Sequence, residues 1–489
     1  MYFALILSLL LAPLLGEELK SFPQESSTET MHTLQIGGAN LNYKATAGTL
    51  LYKNDKEEIK GSFFYTAYIK EGNDPNRPIA FCFNGGPGSS AVWLNMGAFG
   101  PKRLVIKDLQ AISPPYTITD NPFSILEETD LVFIDPISTG YSRPTPGEDP
   151  KQFHGVEEDV RSVAEFIRLY ITRNNRWNSP KFLIGESYGA TRACALAVHL
   201  HDELRCDVNG IILISSILNY QTINEDEPGN DLASLVFLPS FTAVAWYHKK
   251  LEGKLQDSLE NTLKEVERFT LDEYAPALAQ GDTLDKDKKK QLIAKLASFT
   301  SLPPEWIDRT NLRICQARFS KELLRKEKRL VGRFDGRFTG IDPLICGEGP
   351  AYDPSLDALL GPFTAAFNSY VRTDLKWDTD REYRVLANVW PWDFGKDSFK
   401  SLNITENLKK LLSQNPRLKM YVASGYYDLA TPYFGTLFTF NHLSLDPTLQ
   451  NNVQMGFYPS GHMMYLHEPS LQKLKGDLSQ FIRRSVNPP

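Results

Sequence analysis

Cysteine is scarce in this sequence, with five in 489 residues: Cys82, Cys194, Cys206, Cys315 and Cys346. An odd count without closely paired spacings excludes a disulfide-dense scaffold and a zinc site built on neighbouring cysteines. Cys82 and Cys194 lie in apolar surroundings and read as core residues. Cys315 and Cys346 fall in one middle region and are the candidates for a pair, although sequence leaves connectivity open. A strong charge of either sign is also missing. With a formal charge of −6 and 23% charged residues, the composition is that of an ordinary soluble globular chain. It argues against a protein built mainly to hold nucleic acid or to coat an anionic membrane.

Long hydrophobic runs are missing too. Beyond the first residues, no stretch approaches the roughly 18 apolar residues that suggest a membrane span, so no stable membrane insertion is expected. The one apolar run, Tyr2 to Leu15, is too short to span comfortably and is followed by Gly16 and Glu17. It reads as a secretory signal over 1–16 and predicts a secreted or periplasmic protein. Two details depart from that pattern: no Lys or Arg precedes the run, and Leu14 stands where a small residue is usual. The sequon Asn403-Ile404-Thr405 is an acceptor for glycosylation if the host glycosylates secreted proteins. No repeat or low-complexity segment stands out.

What is present is an alternation of strands and helices. Leu41–Tyr43, Thr49–Tyr52, Gly61–Ile69 and Ile79–Phe83 fit strands, the last apolar throughout as a strand buried on both faces would be. Asp130–Asp135, Lys181–Ile184 and Gly210–Ser215 follow as strands, interleaved with helical patterns over Val156–Arg173 and Ala190–Leu204. That rhythm predicts an α/β fold with a mostly parallel central sheet and helices on both faces. It stops near Gln221 and resumes at Lys419–Ser424. The expected organisation is a core of 33–222 and 376–489, interrupted by a largely helical insertion, or cap, over 223–375. Charge runs within the insertion, such as Asp285 to Lys290, read as solvated helix faces.

Three segments carry chemistry. Gly185-Glu186-Ser187-Tyr188-Gly189 lies between a strand and a helix, where a tight turn lifts a serine hydroxyl clear of the sheet. A five-residue match of this kind arises by chance in many proteins, and only its strand–turn–helix setting makes Ser187 a nucleophile rather than an ordinary turn residue. A serine needs a base, and the base needs an orienting carboxylate, in the chain order Ser, acid, His for such a fold. His462, in Pro459-Ser460-Gly461-His462, follows a strand-like segment and has small neighbours suited to close approach. His442 and His467 read as structural. Asp428 follows the strand around Tyr421–Ala423 and is the matching acid, with Asp446 and Glu406 as weaker competitors. Two backbone N–H groups are needed for a developing oxyanion. One is that of Tyr188, after the nucleophile; the other comes from the loop Asn84-Gly85-Gly86-Pro87-Gly88, whose glycines expose backbone. That loop lacks the Lys-Ser/Thr pair of a phosphate-binding loop, and the chain has no Gly-x-Gly-x-x-Gly. No metal or organic cofactor is implied.

Together, Asn84-Gly-Gly-Pro-Gly-Ser-Ser90, Gly185-Glu186-Ser187-Tyr188-Gly189, Gly461-His462-Met463 and Leu131 to Ser142 resemble the serine carboxypeptidase family of α/β-hydrolases, in particular its bacterial-type members. The resemblance runs from about Phe63 to the C-terminus and is weakest in the insertion. It implies Ser187, Asp428 and His462 as the triad and the N–H groups of Gly86 and Tyr188 as the oxyanion hole. It also implies that Asn84 and Glu186 bind the free carboxylate of a peptide substrate, with activity favoured at acidic pH. Three positions depart from the family pattern. Cys82 stands where Trp is frequent, Ala98 where a second glutamate is frequent, and Gly425-Tyr426-Tyr427-Asp428 where Gly-Asp-x-Asp is usual. An esterase or acyltransferase using the same triad is the alternative reading, and a catalytically silent binding protein a more distant one.

Overall fold

Burial along the central strands alternates between two apolar sets, and this sets the layers of the molecule. The computed structural model describes residues 23–486 apart from Asn73, Asp108 and 397–400, so the signal expected at 1–16 lies outside the described residues. The strands are β1 (Ser27–Ile36), β2 (Ala39–Lys53), β3 (Ile59–Lys70), β4 (Ile79–Phe83), β5 (Asp130–Asp135), β6 (Lys181–Glu186), β7 (Gly210–Ile214), β8 (Lys419–Gly425) and β9 (Val453–Tyr458). They form one sheet in the order β1-β2-β3-β5-β4-β6-β7-β8-β9, with the short piece Arg143–Pro144 added beside β3. From β5 to β9 every neighbour is parallel; β1, β2, β3 and β5 pair antiparallel.

Phe182, Ile184, Ile212, Ile214, Tyr421 and Ala423 point to one face, and Leu183, Ile211, Leu213, Met420 and Val422 to the other. A sheet apolar on both faces must be covered on both. Helices Val156–Arg173 (α1) and Tyr188–Asp202 (α2) cover the second face, through residues such as Phe166, Ile167 and Leu196. On the first face lie the helices Pro354–Thr373 and Glu468–Val486, through Phe363, Phe367, Leu474 and Leu478. The acidic first turn of α1 (Glu157, Glu158, Asp159) and its last-turn Arg173 complement the helix dipole.

Two features differ from the expected pattern. The runs Leu41–Tyr43 and Thr49–Tyr52 belong to a single 15-residue strand, β2. The weak strand formers between them stay extended because β1 pairs along one side and β3 along the other, a tertiary constraint that local propensity does not contain. The β1–β2 hairpin closes on Gly37 and Gly38, with φ of 59° and 84°, the left-handed turn that two glycines permit. The segment 223–375 also divides between two cores. Helices Leu232–Tyr247, Leu259–Phe269 and Lys286–Thr300 build an apolar cluster of their own around Phe241, Val266 and Leu296, joined by Tyr427, Leu429 and Tyr433. Helix Pro354–Thr373 instead joins the core of the main sheet. Cys315, half-buried, and Cys346, exposed, are free thiols, so the pair considered from sequence is not formed.

The centre of the sheet should carry the greatest local stability. Ile212→Ala, in fully buried β7, is expected to lower the unfolding free energy by about 3 kcal/mol. Denaturant titration would show this as a lower midpoint with an unchanged slope.

Candidate active site

Parallel strands end on the same edge of a sheet, so the loops after β4, β6, β8 and β9 meet there. The β6 strand runs into Ser187, held at φ 61° and ψ −126°, and α2 begins at once with Tyr188. A non-glycine residue in such a conformation needs crowding around it to hold it there. The crowding is visible at the glycines. A Cβ on Gly185 would come within 2.0 Å of the Gly189 carbonyl oxygen, and one on Gly189 within 2.8 Å of that of Phe83. The loop after β4 packs equally closely, since a Cβ on Gly85 would lie 2.5 Å from the Tyr188 nitrogen. Gly86, at φ 104°, turns its backbone beside the strand-to-helix turn at Ser187, the nucleophile elbow. Tyr188 opens α2, and the N–H of a first helical residue has no acceptor within its own helix. Buried Arg192 braces both parts: it pairs with Asp159 at 2.7 Å and donates to the Asn84 carbonyl oxygen.

Asp428 is fully buried, and its oxygens are satisfied on every side. Oδ1 accepts the N–H groups of Ala430 (2.7 Å) and Thr431 (2.9 Å). Oδ2 accepts the Thr431 hydroxyl and lies 2.7 Å from His462 Nδ1. A carboxylate at Nδ1 selects the tautomer with a proton there and leaves Nε2 with its lone pair. Nε2 is buried and has no hydrogen-bond partner among the described residues. The loop carrying His462 is held from outside the sheet. Its N–H donates to the Phe334 carbonyl oxygen at 2.6 Å, and the Phe334 ring meets the imidazole edge-on with centroids 4.9 Å apart. The buried Arg337–Asp335 pair sits beneath, with Arg337 donating to Ser460 Oγ and to the Pro459 carbonyl oxygen. Burial opposes a charge on His462, but Asp428 and, more weakly, Glu186 outweigh it and raise the imidazole above its ordinary value.

Glu186 is buried beside the elbow, and Tyr465 donates to its Oε2 at 2.8 Å. Burial pushes its carboxyl up to about 7, against the opposing pull of His462 and of the Tyr465 hydroxyl. Asn84 accepts the Leu94 N–H through Oδ1, while its Nδ2 is buried without a hydrogen-bond partner among the described residues. Asn84, Gly86, Glu186, Ser187, Tyr188 and His462 all line one cavity of about 140 Å³, and Asp428 stands behind His462. The competitors lie elsewhere: His442 bonds to the Phe438 carbonyl oxygen, His467 to Ser470, and exposed Asp446 caps Thr448. Ala98 and Cys82 are both in the sheet core and do not face the cavity. Sequence reasoning missed Tyr465, Phe334, Arg333 and Arg337. Tyr465 sits three residues after His462 in an apolar run, and the other three lie in the insertion, with no motif to mark them.

A mostly parallel sheet with a serine on a positive-φ turn, and an acid and a histidine after later strands, is an α/β-hydrolase fold. The chain belongs to the serine carboxypeptidase family, which matches residues 38–465 and so includes every residue of the cavity named above. It is similar to Serine carboxypeptidase-like 33 of Arabidopsis thaliana, at 24% identity over 217 residues covering 43% of this chain and 42% of that protein. It is also similar to Carboxypeptidase Y of Schizosaccharomyces pombe, at 28% identity over 178 residues, 35% of this chain and 15% of that one. The chain spans less than half the length of each of these relatives. Among solved structures, the proline iminopeptidase of Mycobacterium smegmatis overlays 94% of this chain and 99% of its own, at 12% identity and a TM-score of 0.36.

The Glu186 environment makes stability depend on pH. Its ordinary value is 4.5, so the unfolded chain ionises there while the folded chain keeps the proton until about 7. This contribution to stability is present below 4.5 and is lost as pH rises through that window. Glu186→Gln cannot ionise, so its stability relative to the parent should improve by about 3 kcal/mol between pH 4 and pH 8. Urea titrations of both proteins at the two pH values would measure the change.

Proposed function

We propose that the protein is a serine carboxypeptidase that releases C-terminal residues from peptides through an acyl-enzyme on Ser187. The observation that carries this reading is Glu186, a buried carboxyl pushed up to about 7 in the same cavity as Ser187 and His462. An ionised glutamate would repel a substrate carboxylate, whereas a protonated one donates a hydrogen bond to it. Asn84 Nδ2 supplies a second donor, and the Tyr465 hydroxyl on Oε2 leaves the other Glu186 oxygen to carry the proton.

The shared cavity of Ser187 and His462 supports the following reaction. His462 Nε2 takes the Ser187 proton as Oγ attacks the carbonyl of the last peptide bond, and Asp428 holds the imidazolium that forms. The N–H groups of Gly86 and Tyr188 receive the oxyanion. His462 then gives its proton to the departing amine, leaving an ester on Ser187. Water attacks that ester with His462 again as base, releasing the acid and restoring the serine. The segment 223–375 acts as a cap in this scheme, because Phe334 and Arg337, in its turn between the short strands Arg329–Val331 and Thr339–Ile341, hold the His462 loop. Residues 1–16 direct the chain to secretion, a reading supported by their apolar run.

Two experiments test the proposal. Ser187→Ala should reduce turnover of a blocked dipeptide with a free C-terminus by at least about 10⁴-fold, and the parent enzyme should act far more slowly on the amidated dipeptide. Equal rates on the free and amidated forms would favour the esterase or acyltransferase reading. The second concerns pH. Glu186 and His462 titrate as a pair, and a substrate carboxylate beside Glu186 favours the proton there. For peptides, KM should rise as pH passes upward through about 7, the value of Glu186. Glu186→Gln should flatten that rise; an unchanged profile would refute this role for the glutamate.

A further inference from the structure

The cavity beside Ser187 is walled largely by neutral groups, among them Trp93, Ile217, Tyr220, Leu356 and Met463. Among its described lining residues, one carries a fixed positive charge, Arg333. Its backbone is anchored on both sides: its N–H donates to Asp353 Oδ1 at 3.0 Å, and its carbonyl oxygen accepts the Leu429 N–H at 3.0 Å, one residue beyond Asp428. The side chain lies over the Phe334 ring, with Cζ 5.3 Å from the centroid, and that ring packs on His462. An arginine on an aromatic face is pre-organised, so little freedom is lost when it binds an anion.

Several arginines of the inserted segment are paired with acids. Arg337 is held by Asp335 and Ser460, Arg313 by Asp231, and Arg325 by Glu322. Among the described residues, the Arg333 guanidinium has no ion pair or side-chain hydrogen bond, and it is exposed. The two acids around it do not neutralise it. Asp353 uses Oδ1 for the Arg333 and Ser355 N–H groups and the Ser355 hydroxyl, and its Oδ2 is buried away without a partner. Glu225 accepts the Gln316 N–H, and burial pushes it up to about 8, so it carries little charge at neutral pH. An unpaired cation fixed in a catalytic cavity is a receptor for an anion.

We propose that Arg333 is a specificity-determining residue that binds the side-chain carboxylate of a substrate residue flanking the scissile bond, so that peptides with Asp or Glu beside the cleaved bond are the preferred class. This rests on the carboxypeptidase reading above, and it assigns to Arg333 a carboxylate other than the terminal one held at Glu186 and Asn84. The test uses blocked peptides with Glu or Gln at each of the two residues flanking the bond, each prepared with a free and an amidated C-terminus. The parent enzyme, Arg333→Gln and Arg333→Lys are compared by kcat/KM. The parent should favour Glu over Gln by about 10-fold or more at one of the two positions, as expected for a hydrogen bond to a charged group. Arg333→Gln should bring that ratio to about 1, with Arg333→Lys in between, since a point charge keeps attraction but loses the two-pronged fit.

The proposal is overturned if the parent shows no preference for Glu at either position, or if Arg333→Gln leaves the preference intact. It is equally overturned if Arg333→Gln keeps the Glu/Gln ratio but loses discrimination between free and amidated termini, because Arg333 would then read the terminal carboxylate. Failure of the carboxypeptidase reading has a different signature: equal parent rates on free and amidated peptides, whatever the Glu/Gln ratio.

Discussion

A carboxylate without exposure to water must have its charge met by the protein, and Asp428 is the point where this demand shapes the molecule. Its two oxygens collect two backbone N–H groups, a threonine hydroxyl and the imidazole of His462. Satisfying it requires β8 to end beside β9, the chain to turn tightly through Ala430 and Thr431, and the His462 loop to fold back onto the sheet edge. Thr431 is also tied to the Ser215 carbonyl oxygen after β7, and Ser215 in turn donates to the carbonyl oxygen of His462. The strand ends are thereby fastened to one another by the hydrogen bonds that satisfy one buried acid and its partner.

Glu186 poses the opposite problem. It sits at the same edge, where the Tyr465 hydroxyl donates to Oε2 and the Asn84 side chain also favours the charged form, yet burial still pushes its carboxyl up to about 7. Two acids in neighbouring loops therefore have different chemistry because one is surrounded by donors and the other by little that stabilises charge. In the proposed reaction this difference assigns the roles: Asp428 steadies a cation on His462, and Glu186 acts as a donor toward an anion. Ala98 does not add a second carboxyl here. It is packed in the core, and its carbonyl oxygen is taken by Asn121.

Much of this was legible in the chain. The Gly185–Gly189 motif and the glycine-rich loop after Phe83 stand out because each meets a local backbone requirement, and chain order then points to Asp428 and His462 as the candidate partners of Ser187. The apolar runs Ile79–Phe83, Asp130–Asp135 and Gly210–Ile214 announced buried strands because both faces of those strands need apolar side chains. Residues 39–53 were harder to read. Nothing local in Ala45-Thr46-Ala47-Gly48 demands a strand, and pairing on both sides supplies the demand.

What sequence by itself determined is therefore the set of candidate reacting groups and the layers that carry them, since spacing, turn residues and alternation are properties of a short stretch of chain. Only the tertiary structure decided what surrounds those groups. Phe334 and Arg337 reach the His462 loop from an inserted segment far away in the chain, and Tyr465 meets Glu186 only once β6 and the loop after β9 share an edge. Among the described residues, Arg333 lies unpaired in the cavity because of which acids fold beside it and how those acids are already used. Electrostatics and desolvation act through space, and a linear pattern does not carry the distances on which they depend.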